Sequence, residues 1–141
     1  MRPRAVMSPH EVVVPEGLAE PRGFNHAVVS RGGRTVWLAG QTALDRDGAV
    51  VAPGDVVAQF ETALGNLLAS LRAAGGEPLH LVTLTTYIVD MEDYRAHARD
   101  IGGVWKRLVG SYYPAMAGIG VARLWDAEAL VEVQGVAVVP D

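Results

Sequence analysis

The sequence predicts an α+β fold: a single mixed β-sheet with two helices on one of its faces. Three features lead to this prediction. Apolar residues recur at helical spacing from Val56 to Ala74, and apolar and polar residues alternate from Leu81 to Val89 as in a strand. A longer, mostly apolar run from Leu130 to Val139 predicts a final strand with both faces covered. The elements therefore follow in the order strands, helix, strand, helix, strands.

The N-terminal third is predicted to form short strands. Runs rich in β-branched residues lie near Glu11 to Val14 and Ala27 to Ser30, and Thr35 to Gly40 follows the turn Arg31-Gly32-Gly33-Arg34. A glycine-rich turn between two such runs predicts a hairpin. The segment 1–23 is expected to contribute an N-terminal strand and a loop.

The first helix is predicted to begin at Pro53-Gly54-Asp55 and to end at Gly75-Gly76, since glycine commonly ends helices. Its inner stripe consists of Val56, Phe60, Ala63, Leu64, Leu67, Leu68, Leu71 and Ala74. The earlier segment Asp45-Arg46-Asp47-Gly48 predicts a turn. A calcium loop there would need more acidic ligands and a terminal glutamate.

The second helix is predicted to be capped by Asp90, with Asp93 three residues further on. Its inner stripe consists of Tyr94, Ala98, Ile101, Trp105 and Leu108. Gly102-Gly103 weakens this helix, because glycine is a poor helix former. Two strands, Ala117 to Ala122 and Ala129 to Val139, are then predicted around a turn.

Composition restricts the classes of function. The 141 residues suit a single domain spanning 1–141. Lys and Arg number 12 against 16 Asp and Glu, and the net charge of -4 disfavours nucleic acid, whose phosphates require cations. Absence of cysteine excludes disulfides and thiolate chemistry. His10, His80 and His97 show no pairing at helix spacing, so a metal site is not expected.

No leader or membrane segment is expected. Met1 to His10 lacks an apolar core of signal-peptide length, and no run approaches the roughly 20 apolar residues of a membrane span. A cytoplasmic location is therefore the expectation.

Glu132 is the most informative polar residue, because it interrupts the mostly apolar final strand. Alternation places Leu130, Glu132, Gln134, Val136 and Val138 on one face. Burial of an ionised carboxylate is costly unless a cation or donors compensate, so Glu132 is either a hydrogen-bonded structural group or part of a site. The second face of the sheet is too apolar for water, which predicts association through that face.

Eleven short segments occur in order between Phe24 and Val139: Gly40-Gln41, Asp45 with Gly48, Gln59, Asn66-Leu67, Leu71, Ala74-Gly75, Val89-Asp90-Met91, Asp93-Tyr94, Pro114-Ala115, Gly120-Val121-Ala122-Arg123-Leu124 and Val131-Glu132-Val133. Together they resemble the Rid family, also called the YjgF family. Since so many segments at these distances are hard to produce by chance, the chain is identified as a member of this family.

The resemblance implies a chorismate-mutase-like fold and a homotrimer whose sheets form a central barrel, with ligand clefts between neighbouring subunits. It also implies hydrolysis of enamines and imines to a 2-keto acid and ammonia without a cofactor. By position, Glu132 corresponds to the glutamate that places the attacking water. Gly40 corresponds to the cleft glycine, and Ala39 beside it is included in the substrate-binding set.

Four positions depart from the family pattern. The arginine that binds the substrate carboxylate corresponds to Met116, the small hydroxyl or thiol site to Gly118, a strand tyrosine to His26 and a helix asparagine to Ala98. Methionine offers no cation, so deamination of ordinary 2-imino acids is expected to be weak or lost. The substrate should accordingly lack the amino-acid carboxylate.

Several residues keep two interpretations. Arg22 or Arg99 is a candidate replacement cation, whereas Arg123 belongs to a shared segment. His26 either lines the cleft as an acid or base or is an ordinary surface or packed histidine. Met116 is either the wall of a pocket for a less charged substrate or the remnant of a lost activity. The pair Tyr112-Tyr113 either overhangs the cleft or packs the trimer.

Two classes of function remain open. In the first, Glu132, with or without His26, catalyses hydrolysis or another acid–base step on an enamine, imine or related carbonyl compound. In the second, a non-catalytic trimer binds a metabolite or regulates a protein. Action on nucleic acid is a third hypothesis, which the negative charge disfavours.

Overall fold

A computed structural model describes residues 7–141. Two expectations for the chain start, the missing leader in Met1 to His10 and the strand and loop in 1–23, fall partly on residues 1–6, outside the described residues. Along residues 7–141 the elements are β1 (Glu11–Val13), β2 (Ala27–Val29), β3 (Arg34–Gln41), α1 (Val56–Ala73), β4 (Leu81–Ile88), α2 (Met91–Ala96), α3 (Ala98–Leu108), β5 (Ala115–Gly120) and β6 (Val131–Val139). In this described part, no helix is both long enough and apolar enough to cross a membrane.

The main sheet of residues 7–141 has the strand order β3-β6-β4-β5. β6 pairs antiparallel with β3 and β4, whereas β4 and β5 run in parallel. Parallel neighbours need a crossover, and α2 and α3 provide it. The helices pack on one face of the sheet, so the predicted α+β fold with a mixed sheet is confirmed.

The hairpin predicted around residues 31–34 is wrong. β2 pairs with β1 in a separate two-stranded ladder, and β3 pairs with β6. The physical reason is the length of the partner strand: β2 has 3 residues, while β6 offers 9 residues to the 8 of β3. Gly33, at φ 77°, lies so close to β6 that an added Cβ would stand 2.5 Å from the Val139 carbonyl oxygen.

The core lies between the helices and the main sheet. Leu64, Leu67 and Leu71 of α1 are fully buried and pack with Leu84 of β4 and Val133 of β6. This confirms the apolar stripe predicted for the first helix. Burial of each such side chain contributes about 1.5–3 kcal/mol to folding.

The ends of α1 lie where the sequence predicts them. Asp55 caps the start, since its Oδ1 accepts from the Ala58 backbone N–H at 3.0 Å. At the other end Gly75 adopts φ 88°, a left-handed conformation that glycine tolerates, and the Gly76 N–H donates to the Leu71 carbonyl at 2.9 Å.

The second predicted helix is divided at His97. Asp90 caps α2 as predicted, because its Oδ1 accepts from the Asp93 N–H at 3.1 Å. His97 then leaves helical geometry, with φ −105° and ψ 16°, and its N–H donates to the Asp93 and Tyr94 carbonyls, which closes α2. α3 therefore starts anew at Ala98, one of the residues predicted for the site.

The ring of His97 stabilises this junction. Its Nδ1 lies 2.8 Å from the Asp93 carbonyl oxygen and 3.2 Å from Asp93 Oδ1. The hydrogen bond to the Asp93 backbone raises the pKa of His97 above 6.5, and neighbouring carboxylates raise it further, against a smaller opposing effect of desolvation. Folding therefore stabilises the protonated ring of His97 relative to its state in the unfolded chain.

A raised pKa gives stability that is present below the ordinary value of 6.5 and is lost as pH rises through the raised value. We expect His97→Gln to lower the melting temperature more at about pH 5.5 than at about pH 8.5. Thermal unfolding of both proteins at both pH values checks this. Both proteins contain His80, whose pKa is lowered mainly by burial. The opposite effect of His80 on the pH dependence of stability therefore cancels in the difference between the two melting temperatures. An equal difference at the two pH values would contradict the assignment.

Candidate functional site

Glu132 lies on the open face of the sheet, which we define as the face opposite the helices. Its neighbours Val131 and Val133 are fully buried towards the helices, so alternation turns Glu132 away from them. Tyr87 lies opposite Glu132 in the β4–β6 register, and its hydroxyl donates to Gln134 Oε1 at 3.0 Å. The predicted assignment of Glu132 to the face of Gln134 agrees with this geometry.

Glu132 is half-buried, and its carboxylate forms no hydrogen bond or ion pair with another residue within residues 7–141. Since no fully buried polar side-chain atom in this part of the chain lacks a partner, the carboxylate oxygens are accessible to solvent. A structural carboxylate held by hydrogen bonds, one of the two interpretations of the sequence, would need such partners. In the protomer the oxygens are instead free to contact a ligand or water.

Gly40 lies under this carboxylate, at a β-bulge. Relative to β6, β3 carries one extra residue between Leu38 and Gln41, at Ala39 and Gly40. A Cβ added at Gly40 would overlap the carboxylate, standing 3.0 Å from Glu132 Cδ and 3.3 Å from its Cγ. Glycine therefore lets the Glu132 side chain lie directly over the β3 backbone, and bulges commonly redirect side chains in this way.

A concave cavity of about 430 Å³ lies beside this pair on the open face. Its lining includes Trp37, Ala39, Thr83, Thr85, Gln134 and Val136. Trp37 is 79% exposed although it sits in the middle of a strand. Large apolar side chains exposed on a sheet face are typical of a surface that another chain covers.

Met116 lies on the other face of the sheet. β5 sets it opposite Leu84, which is fully buried under the helices, and Met116 packs against this core. It lines a cavity of about 290 Å³ between β5 and the helices, which we call the Met116 cavity. The other walls include Phe60, Tyr94, Ala98, Ile101, Trp105 and Tyr113.

Gly118 lies two residues beyond Met116, in an adjoining cavity of about 170 Å³ that Phe24 and Thr86 also line. A Cβ added at Gly118 would meet Ile88 Cδ1 at 3.6 Å, an ordinary contact, so the position has room for a side chain. Met116, Tyr94 and Gly23 line both cavities, which therefore adjoin at these residues.

The predicted site residues thus form two groups. Glu132, Gly40 and Ala39 belong to the open face, whereas Met116, Gly118 and Ala98 lie on the helix side. One protomer does not join the groups, and their shared role in a site stays a prediction.

His26 belongs to neither of these two groups. Its Nε2 lies 2.7 Å from the Ala19 carbonyl oxygen, and its ring meets Phe24 edge to face at 5.1 Å. Since a carbonyl accepts, Nε2 is the donor in this contact. Within residues 7–141 His26 forms no hydrogen bond or ion pair with Glu132. Its acid or base role remains a prediction.

The arginine candidates differ in position. Arg22 lines the Met116 cavity, whereas Arg99 does not. Arg123 donates to the Leu124 and Trp125 carbonyls at 3.1 and 3.4 Å, next to it in the chain. Arg22 is therefore the one of these three arginines that shares a cavity with Met116.

Three aromatic walls of the Met116 cavity, Phe60, Tyr94 and Trp105, are functional candidates that the sequence did not reveal, whereas the fourth, Tyr113, was already a candidate for the cleft. Trp105 and Tyr113 stack at 5.6 Å and 9°, and Phe60 meets Tyr94 edge to face at 6.3 Å. Burial raises the pKa of the Tyr94 hydroxyl. Phe60, Tyr94 and Trp105 lie in helices at the spacing of ordinary core positions. The cavity between them is visible only in three dimensions.

Tyr112 and Tyr113 separate into different environments. Tyr112 is buried in the core, where its hydroxyl donates to the Leu81 carbonyl at 2.5 Å and burial raises its pKa. Tyr113 lines the Met116 cavity. Within residues 7–141, no three His, Asp or Glu side chains form a group that could hold a metal ion.

Gln59 connects α1 to the start of β6 and hence to Glu132. It is fully buried, its Nε2 donates to the Glu128 carbonyl at 3.0 Å, and its Oε1 accepts from the Leu130 N–H at 2.8 Å. One side chain therefore satisfies the backbone of the segment that enters the strand.

We expect Gln59→Leu to lower the free energy of unfolding by about 1–3 kcal/mol, because the partly buried hydrogen bonds of Gln59 to the Glu128 carbonyl and the Leu130 N–H are lost. Urea unfolding at one fixed protein concentration measures the change. A loss below about 0.5 kcal/mol, the range of a neutral surface substitution, would contradict it.

Comparisons with known proteins agree with this architecture. The family model described as Endoribonuclease L-PSP matches residues 17–139. The RutC family protein UK114 of Drosophila melanogaster is 34% identical over 114 residues, which cover 81% of this chain and 78% of that protein. The 2-iminobutanoate/2-iminopropanoate deaminase of Capra hircus is 32% identical over 105 residues, covering 74% and 73% respectively.

A solved structure gives the same result. That of YyfB, a Rid family protein from Yersinia pestis, matches with a TM-score of 0.83 at 34% identity, over 92% of this chain and 98% of that one. The fold is an α+β domain whose sheet has one helix-covered face and one open face, with a cavity on each side. The chain belongs to the Rid, or YjgF, family, as its sequence segments indicate.

Proposed function

We propose that the protein is a homotrimer that binds a small metabolite in clefts between subunits and hydrolyses, or otherwise transforms, an enamine, imine or related carbonyl compound. The observation that carries this proposal is the unpartnered Glu132 carboxylate lying over Gly40. Similarity to a protein named as a 2-iminobutanoate/2-iminopropanoate deaminase supports the reaction class.

A trimer would explain why the site residues form two groups. Glu132 and Met116 lie on opposite faces of one sheet, so only a neighbouring subunit can bring the Met116 side of one copy to the Glu132 side of another. The exposed Trp37 and the cavity beside it give the open face a surface for such contact.

The chemistry requires one base that later acts as an acid. Glu132 takes a proton from water as the water oxygen bonds to the C=N carbon, and it passes this proton to the imine nitrogen, which gives a carbinolamine. It then takes the hydroxyl proton of the carbinolamine and gives it to the amino nitrogen as the C–N bond breaks, so the carbonyl forms, ammonia leaves and the carboxylate is regenerated. No cofactor is needed for these steps, and His26 is the second acid–base candidate.

Met116 is the reason to expect weak activity on ordinary 2-imino acids. An arginine binds a carboxylate through two charge-assisted bonds, and the thioether of methionine replaces neither. We expect Met116→Arg to raise kcat/KM for 2-iminopropanoate generated in the assay by about tenfold to a hundredfold, roughly the worth of one charge-assisted bond. Release of the 2-keto acid is the measured quantity.

Met7→Arg is the matched control, since Met7 is 82% exposed and outside both cavities. It should leave the rate unchanged. Circular dichroism establishes that Met116→Arg is folded. A folded variant without a gain in rate would refute the role given to position 116.

The alternative function is a non-catalytic trimer that binds a metabolite or regulates a protein, and the apolar Met116 wall favours it. Absence of turnover across a panel of enamines and imines, with retained metabolite binding, would establish this alternative. RNA cleavage, named in the description of the family model, is disfavoured by the net charge of -4.

A further inference from the structure

We propose that the Met116 cavity is a specificity pocket for a carboxylate ligand with an aromatic or branched apolar body, and that Arg22 binds the carboxylate. This inference rests on the proposed function and deepens it by naming a substrate class. The carboxylate in question is separated from the reacting carbon by the apolar body, unlike that of a 2-imino acid.

The walls of the cavity suit an aromatic ring. Four aromatic side chains line it, Phe60, Tyr94, Trp105 and Tyr113, and its volume of about 290 Å³ is near the lower limit of small-molecule sites. The stacked pair of Trp105 and Tyr113 is held further by the Trp105 Nε1–H, which donates to the Tyr112 carbonyl at 3.0 Å. Walls already held in place lose little entropy on binding.

Arg22 supplies the charge. It is exposed, lines the Met116 cavity, and has no ion-pair partner among residues 7–141. No Asp or Glu lines this cavity, so nothing in the walls repels an anion. A guanidinium binds a carboxylate through two parallel hydrogen bonds, which makes a carboxylate the fitting partner.

Arg22 would hold the carboxylate of the ligand at one end of the Met116 cavity, away from the adjoining cavity of Gly118. Arg22 lines the Met116 cavity but not the adjoining cavity of Gly118, Phe24 and Thr86. The two cavities adjoin at Met116, Tyr94 and Gly23. A ligand held by Arg22 thus extends past the Met116 thioether towards Gly118, with its apolar part along the methionine.

Two neighbouring glycines of α3 provide a matched test of the pocket. Gly102 lines the Met116 cavity and Gly103 does not, and a Cβ added at either meets nothing within 4 Å. Leucine at either position improves helix propensity. Gly102→Leu fills the cavity, whereas Gly103→Leu points elsewhere, so both proteins should fold and only one should lose the pocket.

Calorimetric titration with 3-phenylpropionate tests the proposal, with 3-phenylpropanamide as the uncharged probe and propionate as the probe without a ring. We expect 3-phenylpropionate to bind at least about tenfold more tightly than either, as one charge-assisted hydrogen bond or a buried ring predicts. Arg22→Gln should remove the preference for the charged probe, and Arg99→Gln should retain it.

Gly102→Leu should weaken binding by about tenfold or more, as expected when a ring loses its buried contacts, while Gly103→Leu should bind like the unchanged protein. No binding by the unchanged protein, equal effects of the two arginine variants, or equal effects of the two glycine variants would overturn the proposal. The titration needs no turnover, so failure of the catalytic proposal would leave this result standing, and failure here would leave catalysis by Glu132 untouched.

Discussion

Replacing Glu132 with glutamine is expected to lower the turnover of enamines and imines by about 10²- to 10⁴-fold, the usual worth of a general acid–base group. The amide has nearly the same shape as the carboxylate but cannot accept the proton of the attacking water. Because Glu132 has no protein partner in residues 7–141, its loss leaves no donor unpaired. The melting temperature should therefore change little, and kcat should fall more than KM rises.

The matched control is Glu92→Gln, a change of the same kind at an exposed position on α2. It should retain the rate of the unchanged protein. A Glu132→Gln protein that is folded and fully active would refute the assignment of the catalytic base.

Gly40 provides an independent check on the geometry. A Cβ there would displace the carboxylate, so Gly40→Ala should lower turnover in the presence of Glu132. It should have little further effect in the Glu132→Gln background, because the displaced group is already inactive. Fully additive losses in the double variant would show that Gly40 acts by another route.

Replacing Trp37 with glutamate is expected to convert the proposed trimer to protomers and to abolish turnover. Trp37 is 79% exposed on the open face and borders the 430 Å³ cavity with Val136. In an assembly through this face the ring would be buried, and a carboxylate in its place would have to be desolvated without a partner. Loss of the neighbouring subunit would also separate Glu132 from the Met116 side of the cleft.

The matched control is Trp37→Phe, which keeps an apolar ring and should remain trimeric and active. Light scattering of the unchanged protein and of both variants measures the oligomeric state, and imine turnover measures the activity of the site. A Trp37→Glu protein that is still trimeric would show that the open face is not the subunit interface. A protomer with full activity would show that the site needs no second subunit.

The sequence predicts much of the fold because local patterns carry it. The periodic leucines of α1 and the caps at Asp55 and Asp90 are properties of short segments, and the structure confirms them. The β2–β3 hairpin was predicted wrongly because strand pairing is decided between segments far apart in the chain. β6 lies about 100 residues after β3 and still displaces the nearer β2, since it offers a longer apolar ladder.

For the site, the sequence by itself determined the chemical inventory: one carboxylate in an apolar strand and no thiol. Residue types and alternation are sufficient for that, whereas the interpretation of Met116 as a methionine in place of a cation comes from the resemblance to the family. Only the tertiary structure decided that Gly40 lies under Glu132, that Arg22 shares a cavity with Met116, and that the two groups occupy opposite faces of the sheet. Such neighbours are set by the packing of distant segments, where side-chain size and strand register act together and no local pattern records the outcome.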